Sequence, residues 1–337
     1  MDRELFNTMT TYVFDFYNLY IPKGKEYVNK EKGIRIVPLK IAEDFEKNRT
    51  RLLSPYRKYD CKTAKCFIKS NNKEEARKIA HWLELIYSFA QSRSVFFLEG
   101  YEYKKGKKYS FFQSKFIVPR ENSSFDLIYG TKLTESTYTR DISFFIDTAI
   151  KTLKESNENK QNDILTTINA YITSQSEIMW YELKFLIAWI ALEKLANSHY
   201  KQSNNQLFKM DELKKIKEAL EKALESVINK NDPRLERLKE SIMRDFLYES
   251  DTYQKVDFYL KSLDLEFNER ELRKLIRKLI ESRKKLVHDF NSTKLSNNPS
   301  NLIKLQKILE KVIFRLLGID KSLEKQNFHS GAELWKI

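Results

Sequence analysis

The chain has 337 residues, enough for two domains that each bury their own core. Its 41% hydrophobic and 13% aromatic content, with 22 Phe and 18 Tyr, excludes a largely disordered polymer despite 32% charged residues. A formal net charge of +14 tilts the expected partners toward polyanions, either nucleic acid or an anionic membrane surface. No run approaches the about 18 consecutive apolar residues of a membrane-spanning helix.

The first half reads as α+β. Residues 12–17, 34–37, 66–69, 95–98, 109–112 and 116–118 are short aromatic and β-branched runs, punctuated by glycines and prolines such as Gly33, Pro38, Gly100 and Gly106. Between them, residues 74–89 carry helical spacing through Ile79, Trp82, Leu83, Ile86 and Phe89, predicting one helix on an antiparallel or mixed sheet. Cys61 and Cys66 have no second pair or histidine at zinc-ligand spacing and read as reduced thiols. With no signal-peptide pattern at the N-terminus, a cytoplasmic location is expected.

Residues 101–109 read as a hairpin whose tip sets Lys104, Lys105, Lys107 and Lys108 around Gly106, flanked by tyrosines. Such a tip can follow a phosphate backbone while the rings stack on bases. It can equally be a solvated hairpin end whose charges deter edge pairing. The four lysines stand as candidate RNA contacts.

Beyond Tyr138 the glycines nearly vanish. Asp141 is placed to cap a helix through Phe144, Phe145, Ala149, Ile150 and Leu153, and residues 156–161 read as a polar break. Helices are then predicted at about 163–173, 176–199, 211–229, 234–248, 253–263, 268–290 and 301–317, the last with Ser300 as cap and Gly318 as stop. The expected organisation is an α+β domain over residues 1–140 and an all-α helical bundle over 141–337.

Two of these helices hold the candidate chemistry. The one spanning 176–199 is apolar nearly all round, so it belongs in the middle of the bundle, and Glu193 shares a stripe with Leu186 and Ile190. An inward carboxylate requires a partner. His199 reads as a surface or cap residue at the end of the same helix. In the helix spanning 268–290, the heptad step from Ile276 lands on Arg283 and then on Phe290, so a permanent cation fills a slot patterned for an aliphatic side chain. Two readings stand at this point. Arg283 either lies at the seam between core and solvent with its stem buried, or meets an anion, of which Glu193 is the candidate. His288 follows five residues later, about 140° around the helix.

Residues 189–195, Trp-Ile-Ala-Leu-Glu-Lys-Leu, followed by residues 282–288, Ser-Arg-Lys-Lys-Leu-Val-His, resemble the Apea-like branch of the HEPN family of helical-bundle nucleases, over roughly residues 140–320. The resemblance implies a metal-independent ribonuclease site built by the arginine and histidine of an Arg-x(4 to 6)-His motif, here Arg283 and His288, with no cofactor and usually completed across a homodimer. That family often has Asn, Asp, His or Ser directly after the arginine, where this chain has Lys284.

The chemistry suits those side chains. The 2′-OH of RNA attacks its own phosphodiester, so a protein need only move protons and stabilise a crowded anionic phosphorus. A histidine fits the first task and an arginine fork the second, while Lys284 and Lys285 can hold flanking phosphates and Glu193 can orient the arginine. No Walker-type loop, Rossmann glycine fingerprint or His-Glu-x-x-His is present. Three functions are open: a ribonuclease acting as a toxin, abortive-infection or other anti-phage defence effector with the N-terminal domain as sensor or regulator; a catalytically silent nucleic-acid binder; and an interaction module in which Arg283 and His288 stabilise a dimer seam.

Overall fold

The structure, a computed structural model, describes residues 10–19, 21, 26–39, 62–91, 94–104, 107–113, 135–175, 179–202, 210–228, 232, 235, 237–238, 252–263, 265, 269–289 and 300–319. For residues 104, 113, 135–142, 202, 210–213, 269 and 287–289 it describes the backbone alone. Among the described residues there are six strands: β1 (Thr10–Tyr17), β2 (Tyr27–Asn29), β3 (Ile34–Pro38), β4 (Lys62–Ser70), β5 (Phe96–Lys104) and β6 (Lys107–Gln113). The helices among them are α1 (Lys73–Ala90), α2 (Glu135–Glu155), α3 (Glu158–Ser174), α4 (Tyr181–Gln202), α5 (Met210–Val227), α6 (Thr252–Ser262), α7 (Glu269–Asp289) and α8 (Ser300–Leu316).

The strands form one sheet in the order β2-β3-β4-β1-β5-β6, with every neighbouring pair antiparallel. Central β1 is buried on both faces, and its period of two divides its side chains between them. Phe14 and Phe16 meet Phe97 edge-on or tilted, at 5.2 and 5.7 Å between ring centres, and Phe111 closes on Tyr12 and Phe14. Opposite Phe14 stands Gly100, where an added Cβ would come within 2.9 Å of the Phe14 and Phe111 rings. The glycine expected to end a strand therefore lies inside β5, because the rings need the space that it leaves. Strand β2 is only three residues long and offered no pattern to read, and the strand expected at 116–118 lies outside the described residues.

Helix α1 starts at Asn72, whose side chain accepts from the Glu75 amide at 2.8 Å. One side of α1 packs on the sheet, with the Arg77 guanidinium 4.4 Å above the Phe112 ring. At its far end Phe89 meets Phe145 of α2, Tyr171 of α3 and Phe314 of α8, at 5.3 to 6.1 Å between ring centres. On the β2-β3 hairpin, Tyr27 and Asn29 donate to the Asp147 carboxylate of α2 at 2.5 and 2.6 Å. Burial and that carboxylate push the Tyr27 phenol well above its ordinary range.

Two helix starts differ from expectation. Helix α2 begins at Glu135, so Asp141 lies inside it rather than at its cap. Helix α3 begins at Glu158 because Asn157 accepts from the Lys160 amide at 2.9 Å, which confines the polar break to two residues. Gly318 ends α8 in the left-handed region at φ 79°, with the Ile319 amide donating to the Phe314 carbonyl at 2.9 Å. Most of the helix expected at 234–248 lies outside the described residues.

An antiparallel sheet thus occupies the N-terminal part and helices dominate after it. The compact units, however, do not divide at residue 140: one comprises residues 1–188 and 302–337, the other 189–301. The Phe89 cluster explains the difference, since it gathers α2, α3 and α8 onto α1 and the sheet.

Candidate functional site

The unit of residues 189–301 holds the pair that the sequence singled out. Trp189 is fully buried, and its indole Nε1 donates to Glu193 Oε2, one turn along α4, at 2.9 Å. The other carboxylate oxygen, Oε1, accepts from Thr252 Oγ1 at the start of α6, at 3.5 Å. Arg283 of α7 approaches Glu193 Oε2 through Nε at 3.6 Å. Three elements therefore converge on one carboxylate.

The exposures define what this cluster can do. Glu193 retains 19% of its side-chain exposure and Arg283 retains 38%. An ion pair that open to water contributes at most about 1 kcal/mol, so its value is orientation more than stability. The two readings of Arg283 merge: its stem lies on the core-facing side of α7, between the buried Ile276, Leu279 and Leu286, while its head is half exposed and paired. Ser282, beside it, is buried and accepts from Asn301 Nδ2 at 3.1 Å.

An open groove of about 480 Å³ runs along α4, lined among the described residues by Ile190, Glu193, Lys194, Asn197, Ser198 and Lys201. Glu193 thus faces Arg283 and also borders solvent-accessible space. The arrangement sets a guanidinium close to an open surface carrying two lysines.

The remaining candidates fall in different places. His288 lies in the last turn of α7, about 7.5 Å along the axis from Arg283, and its side chain lies outside the described residues. Lys284 and Lys285 are exposed on α7. Of the hairpin lysines, Lys105 and the side chain of Lys104 lie outside the described residues, and Lys107 is exposed. Lys108 is already engaged: its Nζ is 2.8 Å from Glu99 Oε2 and 4.0 Å above the Tyr101 ring. The hairpin therefore binds one of its own lysines, and its tip is separated in sequence from Arg283 by more than half the chain.

Sequence reasoning missed two contributors, Trp189 and Thr252, although a tryptophan four residues before a glutamate on one helix is at donor spacing. His199 is half-buried, with its ring 5.5 and 5.4 Å from those of Phe258 and Tyr259, rather than a surface or cap residue. His81 pairs with Glu84 at 3.2 Å on the exposed side of α1. Cys66 is buried in the sheet, and burial raises its thiol pKa far above the ordinary value. No group of three or more potential metal ligands occurs among the described residues, and no helix searched there is long and apolar enough to cross a membrane.

Compared with protein-family models, curated proteins and solved structures, the chain matches none.

Proposed function

We propose that the chain is a metal-independent endoribonuclease of HEPN type, a toxin, abortive-infection or other anti-phage defence effector, with Arg283 and His288 as its catalytic pair. The observation that carries this reading is a half-exposed arginine on the core side of α7, oriented by a carboxylate that itself borders an open groove.

In the reaction the 2′-oxygen forms a bond to the adjacent phosphorus and the 5′-oxygen bond breaks, leaving a 2′,3′-cyclic phosphate. His288 moves the protons, one taken from the 2′-OH and one given to the departing 5′-oxygen. The Arg283 fork neutralises the non-bridging oxygens as charge builds on them. Glu193 is a positioning residue acting through Arg283, and Trp189 and Thr252 act through Glu193. Lys284 and Lys285 hold neighbouring phosphates. Each copy supplies one Arg-His pair, so the reading includes a homodimer through the C-terminal helices. Helix α4 leaves Leu183 and Ile190 exposed, which offers apolar area for self-association. The N-terminal part then serves as sensor, regulator or additional RNA contact.

A second reading, a catalytically silent nucleic-acid-binding or interaction protein, draws on the same pair: an arginine already matched by Glu193 can be structural. Purified protein incubated with RNA and a chelator separates the two. The first reading requires cleavage that persists in chelator, yields a cyclic phosphate and spares a substrate carrying a 2′-deoxy sugar at the scissile position. No cutting of any RNA leaves only the second, and cutting of that deoxy substrate overturns the 2′-OH attack that the first requires. A sedimentation experiment showing a monomer at micromolar concentration, with and without RNA, removes the dimer.

A further inference from the structure

The exposed side of α7 carries an unbalanced line of charge. Between positions 270 and 285 seven exposed side chains are basic and two, Glu271 and Glu281, are acidic. Lys274, Lys278 and Lys285 fall within about 40° of one another on an ideal helix, at steps of roughly 6 and 10 Å. Glu281 falls inside that row, so three lysines share one carboxylate, and no ion pair to any of the three occurs among the described residues. On the flank of the row, the Arg277 guanidinium sits 5.4 Å above the Tyr253 ring of α6.

Composition alone does not explain this. In the same unit α5 is also lysine-rich, yet its Lys217 pairs with Glu221 at 3.9 Å, and Glu218 and Glu225 are interleaved with the other lysines. Helix α7 instead keeps like charges three and four residues apart, where they repel. That arrangement is useful when an external polyanion neutralises it.

We infer that this ridge binds the phosphate backbone of an RNA strand without reading its sequence, a proposal that rests on the ribonuclease reading for the identity of the polyanion. Lysine stems are flexible point charges suited to following phosphates rather than base edges. A membrane surface fits less well, because a helix lying in a bilayer interface inserts its apolar side. The apolar side of α7, with Leu272, Leu275, Ile276, Leu279 and Leu286, is buried within the protein.

The test is fluorescence anisotropy of a labelled single-stranded RNA against the full chain carrying Arg283→Ala, which keeps the strand uncut, over a salt series. At about 0.7 per phosphate contact, adding Lys274→Ala, Lys278→Ala and Lys285→Ala lowers the slope of log affinity against log salt by about two, and affinity at 0.1 M salt falls on the order of a hundredfold. The triple Lys→Arg protein retains the slope, which separates lost charge from lost fold. Alanine at Lys214, Lys215 and Lys222 of α5 changes the slope by less than about one. An unchanged slope in the α7 triple alanine protein, an equal loss in the α5 protein, or ridge-dependent binding to phosphatidylserine vesicles without RNA binding would each overturn the proposal. Ridge-dependent RNA binding by a protein that, with Arg283 restored, cuts no RNA would instead sink the catalytic reading and leave the ridge standing.

Discussion

Each of the two compact units holds a carboxylate between an aromatic donor and a basic side chain, and they close it to different degrees. In the sheet, Asp15 is 2% exposed, accepts from Tyr101 Oη at 3.1 Å and lies 2.8 Å from Lys62 Nζ. In the helices, Glu193 accepts from Trp189 at 2.9 Å, but its cation stands 3.6 Å away and both charged groups remain partly open to water. The sheet cluster is completed internally, with Lys62 and Lys108 also reaching Glu99. The helical cluster holds its arginine loosely enough for a second anion to approach. A satisfied ion pair fixes register, and a partly satisfied one retains binding capacity.

The largest effect expected from breaking this comparison comes at Trp189. Replacing it with alanine should cost about 3–5 kcal/mol, the range for deleting a large buried aromatic side chain, measured by urea denaturation. Trp189→Phe retains most of the volume and removes the donor to Glu193. It should cost about 1.5–3 kcal/mol, as for a bond to a charged group. A Trp189→Phe protein as stable as wild type would mean that the indole N–H does nothing for Glu193. Next come Arg283→Ala and His288→Ala, each expected to lower RNA cleavage by about 10² or more while the thermal transition shifts little. Full activity in either protein removes that residue from the chemistry.

Much of the fold was legible because its causes are local. The aromatic and β-branched run in residues 12–17 and the spacing through Ile79, Leu83 and Ile86 are direct images of a strand and a helix. Other features depend on distant partners. Gly100 reads as a strand end until Phe14 and Phe111 are seen to occupy the space beside it, and the unit boundary reads as a change of secondary structure until Phe89 gathers three helices. The Arg283 and Glu193 pairing could be expected because two charged residues interrupted two apolar stripes. Trp189 could not be singled out from the other buried aromatics, since its donor role needs the rotamer as well as the spacing.

Smaller effects sharpen the contrast. Asp15→Asn retains an acceptor for Tyr101 and removes the charge facing Lys62. Because Lys62 is itself more than a third exposed, the cost should be only about 1 kcal/mol. The hydrogen bond and charge of Asp15 raise the Lys62 pKa, so that contribution is present below the ordinary lysine range and lost as pH rises through the folded value. The stability difference between wild type and Asp15→Asn should therefore narrow in strong alkali, and a difference that widens there would contradict the pairing.

The smallest expected effect, opposite in sign, is at Glu310, whose carboxyl accepts from Tyr171 Oη at 2.6 Å and whose pKa is raised by burial. A raised carboxyl favours the protonated form in the fold, so its contribution is greatest at acid pH and declines as pH rises through the folded value. Glu310→Gln should raise the thermal midpoint near pH 7 and leave it nearly unchanged near pH 4. Destabilisation at pH 7 would show that the charged form is the one the fold prefers.

The chain has two cysteines, Cys61 and Cys66, and the second sits as a free thiol in β4 with no exposed surface. With Cys61→Ala, a thiol-specific reagent has a single target, reachable only when the strands around β4 separate. The labelling rate then becomes a clock for opening of the sheet alone, while indole fluorescence, with Trp82, Trp180 and Trp335 replaced by Phe, follows Trp189 separately. Two signals from one sample would show whether the sheet and the helices give way together or one after the other.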